Sequence, residues 1–240
     1  MNEKRITLLQ LYPRDMNIYG DWGNVLTIKR RLEWHGYSPE LLEYNPGDTF
    51  PENVDIIVGG GGQDSGQDVI QEDILKIGPT LIELAENDTP MLMICGLYQL
   101  FGRFFKTQDG HIIEGIGLLD IETHAGKERL IGNTVVSNPE FGNIIGYENH
   151  SGQTFLGKKM APLGQVIKGA GNNGQDATEG VRYKNVLCSY LHGSLLPKNP
   201  VIADFLIEKA VAKRYGEFKP TVIEDRFAES AREIALKRPR

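Results

Sequence analysis

Cys95 closes the apolar run "PMLMIC" and is followed at once by the helix-forming stretch "GLYQLFG". A residue at a strand-to-helix turn projects above the sheet edge, toward which the first N–H groups of the helix also point. Such a position lowers a thiol's pKa and places an N–H donor beside the oxyanion of a tetrahedral intermediate. Cys95 is therefore a candidate nucleophile, with Gly96 as the donor. A lone cysteine here fits a small buried strand residue equally well, so a base is needed. Of the five histidines, His192 ends the apolar strand "NVLCSYLHG", again at a sheet edge beside a glycine. It is the candidate base, and His150 in "YENHSG" is the second. His35, His111 and His124 fall on a helix, in a loop and in a turn-rich stretch. The other cysteine, Cys188, lies inside the strand leading to His192 and is expected to be inert.

The bulk properties narrow the class. The chain has 240 residues, 40% hydrophobic and 24% charged, with a net charge of −6. That is enough to bury a substantial core, and it argues against a broad nucleic-acid-binding face. The only basic cluster is a short end at Lys237, Arg238 and Arg240. Two cysteines form neither a disulfide framework nor zinc-finger spacing, which suits a reducing compartment. No apolar run approaches the roughly 18 residues of a membrane span. A cytoplasmic protein without a membrane span is expected.

The elements that must position Cys95 and His192 alternate. "ITLLQL" (6–11) reads as a buried strand, and "GNVLTIKRRLEWHG" puts Val25, Ile28, Leu32 and His35 on one helical stripe stopped by Gly36. Strands follow at 39–44, 54–58 and 90–95, and the helical pieces "DVIQEDILKI" and "TLIELAEN" are interrupted by Pro79. This alternation predicts an α/β fold, a mostly parallel sheet covered on both faces, with ligands beyond the carboxyl ends of its strands. "GGGG" (59–62) and Cys95 both lie at such ends. From about residue 106, β-branched runs between turn residues predict short, mostly antiparallel strands. A helix returns at 200–216. A last amphipathic stretch, "RFAESAREIALK", lies beyond it, so the chain divides into a domain at 1–216 and a helical tail at 217–240.

"ICGLYQLFG", followed about a hundred residues later by "YLHGSLLPKNP", resembles the class I (triad) glutamine amidotransferases in their cobyric-acid-synthase-like, or CobB/CobQ-like, branch. Within it, "NIYGDWGN" (17–24), "GGGGQDSGQD" (59–68), "GYENHSGQT" (146–154), "GNNG" (171–174) and "EGVRYKN" (179–185) resemble the GatD family, the glutaminase subunits of lipid II isoglutaminyl synthase. The resemblance implies a flavodoxin-like domain in which Cys95 attacks the side-chain amide of L-glutamine and forms a thioester, with His192 as general base and acid. It implies an oxyanion hole from Gly96 and Gly61, Gln99 near the substrate, and Arg129 on the substrate's α-carboxylate. It also implies a Mur-ligase-like partner, MurT, that carries the ATP and Mg chemistry and uses the ammonia to convert D-glutamate of lipid II to D-isoglutamine. No P-loop pattern is present, so no nucleotide cofactor is expected on this chain, and no metal site is expected.

Two positions depart from the family pattern. Leu97 stands where related elbows have glycine, and a branched side chain there would narrow the pocket or tilt the helix. Ser194 stands two residues after His192, where many relatives carry the glutamate of the triad; the GatD family is held to borrow that carboxylate from its partner. The elbow also fits a glutaminase of cobyrinate or cobyric acid amidation, a cysteine hydrolase without glutamine specificity, or a non-catalytic scaffold.

Overall fold

The predicted alternation of strand and helix is present through the first hundred residues. The computed structural model describes residues 4–239, so Arg240 of the basic end lies outside it. β1 (Arg5–Leu11), α1 (Trp22–Trp34), β2 (Ser38–Tyr44), β3 (Ile56–Gly59), α2 (Asp64–Glu86), β4 (Met91–Ile94) and α3 (Gly96–Leu100) follow in order. Next come β5 (Phe104–Lys106), β6 (Ile112–Glu114), β7 (Ile121–Asn138), β8 (Gly142–Leu156), β9 (Gly164–Lys168) and β10 (Thr178–Glu179). β11 (Val181–Tyr183), β12 (Val186–Ser189), β13 (Leu191–His192), α4 (Pro200–Tyr215) and α5 (Arg226–Lys237) complete the chain.

A first sheet has the order β11-β12-β4-β3-β1-β2 and is parallel except for the edge strand β11. β3, β4 and β12 are buried at every position, which is why they read as unbroken apolar runs. The α1 stripe is buried as expected at Val25, Ile28 and Leu32. Pro79, in contrast, does not divide its helix: α2 runs 23 residues through it. An interior proline costs about 3 kcal/mol. Ile70, Ile74, Ile77 and Leu81 are buried on both sides of it, and at roughly 1.5–3 kcal/mol per side chain that burial outweighs the break.

The remaining strands form a second sheet of seven. Its texture predicted short strands, but β7 and β8 are 18 and 15 residues long and pair antiparallel from Ile121↔Leu156 to Asn138↔Gly142. Gly126 looks like turn punctuation yet lies within β7. At Gly126 a Cβ would come 2.6 Å from Gln153 Nε2, so the glycine serves a close cross-strand approach. The register slips between Ala125 and Leu130, an extended bulge. β12 belongs to the first sheet and β13, one residue on, pairs with β8 in the second. His192 thus stands where the two sheets join.

α5 forms where its periodicity placed it and is held on the rest of the chain by polar contacts. Arg232 donates to Lys198 O, Asn199 Oδ1 and Asn143 O, while Phe227 and Ile234 stay 76% and 56% exposed. The segment before α5 is clasped by Arg31, a buried residue of α1. Its guanidinium pairs bidentately with Asp204 of α4 at 2.6 Å and also bonds Asp225 at 2.6 and 3.0 Å. No helix among the described residues is long and apolar enough to cross a membrane.

Replacing a buried ion-pair partner leaves the opposing charges uncompensated. Because Asp204 and Asp225 are partly solvated, Arg31→Met should cost about 2–3 kcal/mol in urea unfolding. Limited proteolysis should then cut first within residues 217–225; an unchanged cleavage pattern would mean the clasp is not what holds the tail.

Candidate active site

Cys95 follows β4 with φ 51° and ψ −102°, outside the regions a side-chain-bearing residue ordinarily occupies. The turn is pinned from both ends: Cys95 N–H donates to Ser189 O at 2.9 Å, and Gln99 N–H donates to Cys95 O at 3.0 Å. Leu97 does not narrow the pocket. Its side chain is fully buried and its Cδ1 lies 2.2 Å from where a Gly59 Cβ would stand, so the missing side chain at Gly59 makes the room.

Gly61 separates Cys95 from His192 and no more than that: an added Cβ would meet His192 Cε1 at 2.8 Å and Cys95 Cβ at 3.0 Å. The structure thus brings the two residues together from positions 97 apart in the sequence. His192 Nδ1 lies 3.0 and 3.2 Å from the carboxylate oxygens of Asp21, both residues being almost wholly buried. Nε2 is buried with no partner at hydrogen-bond length, and Cys95 is the titratable group nearest in effect. Burial disfavours the charged imidazole, but the neighbouring Cys95 and the Asp21 carboxylate outweigh it and raise the His192 pKa to about 10. An imidazole that keeps its proton opposite a sulfur is the arrangement of a thiolate nucleophile.

The third member of this array was not among the expected residues. The carboxylate on His192 comes from this chain, at the start of α1, and not from position 194. Ser194 Oγ instead donates to Gly20 O at 2.8 Å. Asp21 also changes the expected oxyanion donors. Gly61 N–H donates to Asp21 Oδ2 at 2.7 Å and is not free. Gly62 N lies 3.1 Å from where a Gly96 Cβ would stand, and the N–H groups of Gly62 and Gly96 have no protein acceptor among the described residues. The open pair of donors is Gly62 and Gly96.

Cys95 opens onto a cavity of about 360 Å³ whose walls include Tyr19, Asp64, Gln99, Arg129, Asn149 and His150. Arg129 sits in the bulge of β7. Its Nε donates to Asn149 Oδ1 at 2.6 Å and its Nη2 to Tyr19 OH at 3.1 Å and Asn149 O at 3.3 Å, so the group is oriented while Nη1 has no acceptor among the described residues. The Tyr19 ring in turn packs edge-on against His192 at 4.9 Å. Gln99 is a buried wall residue and not a surface one: its Oε1 accepts from Gln67 Nε2 at 2.6 Å and its Nε2 donates to Tyr190 OH at 3.0 Å. Burial raises the pKa of Asp64, with Asp68 adding and Arg129 opposing.

His150 also lines the cavity, but it is a poor base. Its Nδ1–H donates to Gly152 O at 2.6 Å, its ring stacks on Tyr190 at 3.6 Å, and burial lowers its pKa to about 4. His35 and His111 pair with Asp204 and Asp68 elsewhere, and His124 stands 3.8 Å from Glu122. Cys188 is fully buried and burial raises its thiol pKa.

The kink that carries His192 from one sheet to the other is braced by Glu179, whose Oε1 accepts from Tyr190 N–H at 2.7 Å and Ser189 Oγ at 3.1 Å. Its Oε2 has no partner, and burial raises its pKa to about 7. A carboxyl whose folded pKa lies above its unfolded value of 4.5 is favoured protonated; folding carries no penalty below pH 4.5 and the full one above about 7. Glu179→Gln should therefore gain stability relative to the parent chain as pH rises, by about 1–3 kcal/mol between pH 5 and 8 in urea titrations. A second expectation concerns the thiols. Iodoacetamide at neutral pH should modify Cys95 at least about tenfold faster than Cys188, read by peptide mass spectrometry.

A model of the CobB/CobQ-like glutamine amidotransferase domain matches residues 7–200. The chain is 37% identical over 235 residues to the GatD subunit of lipid II isoglutaminyl synthase (glutamine-hydrolyzing) of Staphylococcus aureus, covering 97% of this chain and 96% of that one. It is 38% identical over 216 residues to the subunit of the same name from Streptococcus pneumoniae, covering 89% and 83%. Among solved structures, PurLQS from Thermotoga maritima superposes with a TM-score of 0.59 at 17% identity, covering 85% of this chain and 98% of that one. A glutamine amidotransferase from the same organism gives 0.53 at 16%, covering 96% and 93%. At these identities the two structures share the fold.

Proposed function

Since the chain belongs to the CobB/CobQ-like glutamine amidotransferase family, we propose that it hydrolyses L-glutamine through a Cys95 thioester and supplies the ammonia to lipid II amidation. The observation that carries this reading is the placement of Cys95 on a cavity whose wall also carries Arg129, with buried His192 brought beside Cys95 at Gly61. In this mechanism the Cys95 sulfur bonds the side-chain amide carbon of glutamine, and the carbonyl electron pair moves onto oxygen. The N–H groups of Gly96 and Gly62 hold that oxygen, taking the place given to Gly61 from sequence. Collapse breaks the carbon–nitrogen bond while His192 passes its proton to the nitrogen, and ammonia leaves. Water then attacks the thioester and gives its proton to His192, and collapse breaks the carbon–sulfur bond, releasing glutamate and leaving the Cys95 thiolate opposite a protonated His192.

Arg129 takes the α-carboxylate of the substrate with a guanidinium that Asn149 and Tyr19 hold in place, and Asp64 offers a carboxylate to the ammonium group. Free glutamine carries both groups; a glutamine residue within a peptide carries neither. Gln99 shapes the wall between them. The two GatD subunits matched over most of their length belong to lipid II isoglutaminyl synthase. On that likeness the ammonia acceptor is the D-glutamate α-carboxylate of lipid II, activated with ATP and Mg on a Mur-ligase-like partner, MurT, in the cytoplasm.

Glutamate release from glutamine tests the reaction, and Cys95→Ser should reduce it to background without loss of fold. Losing a charge-assisted contact of roughly 1.5–3 kcal/mol, Arg129→Ala should raise the KM for glutamine by about tenfold to a hundredfold. Unchanged kinetics would remove Arg129 from the substrate site. Amidated lipid II should form only when the partner and ATP are added; its absence would redirect the search for the acceptor.

A further inference from the structure

We propose that Asp21 is the positioning residue of this site, completing the Cys95–His192 pair from within the chain and fixing the oxyanion loop with the same carboxylate. The inference rests on the reading of Cys95 as the nucleophile of a glutaminase. Asp21 directly precedes α1, where an aspartate ordinarily caps the helix, yet its side chain makes no cap bond. Both oxygens face His192 Nδ1 at 3.0 and 3.2 Å, and Oδ2 also accepts Gly61 N–H at 2.7 Å. A carboxylate accepts only, so Nδ1 must carry a hydrogen and Nε2 is left to exchange a proton with the sulfur.

The surroundings favour this source of the carboxylate over position 194. A Cβ on Gly23 would stand 2.2 Å from Ser194 Oγ, so the start of α1 packs directly against residue 194, whose hydroxyl is turned to Gly20 O and away from His192. The segment bearing Asp21 is itself tied down: Trp22 N–H donates to Asn17 Oδ1 at 2.8 Å, Ile18 N–H to Gly61 O at 2.9 Å, and Leu196 N–H to Asn24 Oδ1 at 2.9 Å. Asp21 is 2% exposed. A partner's carboxylate would have to displace it to reach Nδ1. The isolated chain therefore has a complete array for glutamine hydrolysis.

In Asp21→Asn the amide oxygen can keep Gly61 N–H while the NH2 group faces Nδ1, which forces the hydrogen onto Nε2 and leaves no acceptor for the thiol proton. The kcat of glutamine hydrolysis by the chain alone should fall by about 10²- to 10⁴-fold with KM changed less than about threefold. Iodoacetamide modification of Cys95, which needs no glutamine, should shift its pH profile toward higher pH in Asp21→Asn and return toward that of the parent chain in Asp21→Glu. Asp21→Ser, which retains an acceptor for Gly61 N–H, serves if the asparagine variant does not fold. Unchanged kcat and an unchanged alkylation profile would overturn the proposal, as would full activity of the variant once a Mur-ligase-like partner is added. A shifted alkylation profile in a chain that hydrolyses no glutamine would support Asp21 while removing the glutaminase reading.

Discussion

Four consecutive residues with no side chain, Gly59 to Gly62, set the closest approach on which this site depends. Cβ atoms there would collide with Leu97 of the elbow, with Met16 O, with His192 together with Cys95, and with Met16 Sδ. Three segments remote in sequence can therefore touch one short loop at the end of β3. A sheet edge ordinarily keeps such segments a side chain apart. Removing that layer lets a cysteine and an imidazole approach the same backbone, whose Gly61 N–H bonds the Asp21 carboxylate, and leaves main-chain N–H groups beside them.

The elbow itself is held against its preference. A non-glycine residue at positive φ is disfavoured by about 1–3 kcal/mol. Cys95 remains there because its N–H is fixed to the neighbouring strand β12, its carbonyl starts α3, and Leu97 is locked in the core. The turn that delivers His192 depends on a different device, the buried carboxyl of Glu179 holding two successive residues of the crossing. The first sheet thus fixes the sulfur and the junction of the two sheets fixes the ring, so neither depends on a mobile loop for its orientation.

Much of this could be read from residue types. The apolar runs and the α1 stripe located the parallel sheet, and a cysteine and a histidine each ending a strand beside a glycine were brought together as expected. What escaped has identifiable causes. Pro79 reads as a break because local rules do not count the isoleucines packed on either side. Gly126 falls between the runs read as strands because a glycine needed for strand-to-strand approach looks like a turn in sequence. Asp21 stands where an aspartate ordinarily caps a helix, and its sequence separation of 171 residues from His192 gives no local sign of their contact. Which of four adjacent glycines has a free N–H depends on that contact too, and so moved with it from Gly61 to Gly62.

The bulge in the β7–β8 ribbon carries a broader consequence. Arg129 lies in it, with Asn149 and His150 on the facing strand, whereas Cys95 follows a strand of the parallel sheet. On the roles proposed here, the hold on the α-carboxylate and the bond-breaking at Cys95 fall to separate scaffolds meeting at one cavity. Insertions or substitutions at the ribbon can alter which small amide is admitted without disturbing the geometry of the thiol, so descendants of such a chain can diverge in diet while inheriting the same chemistry unchanged.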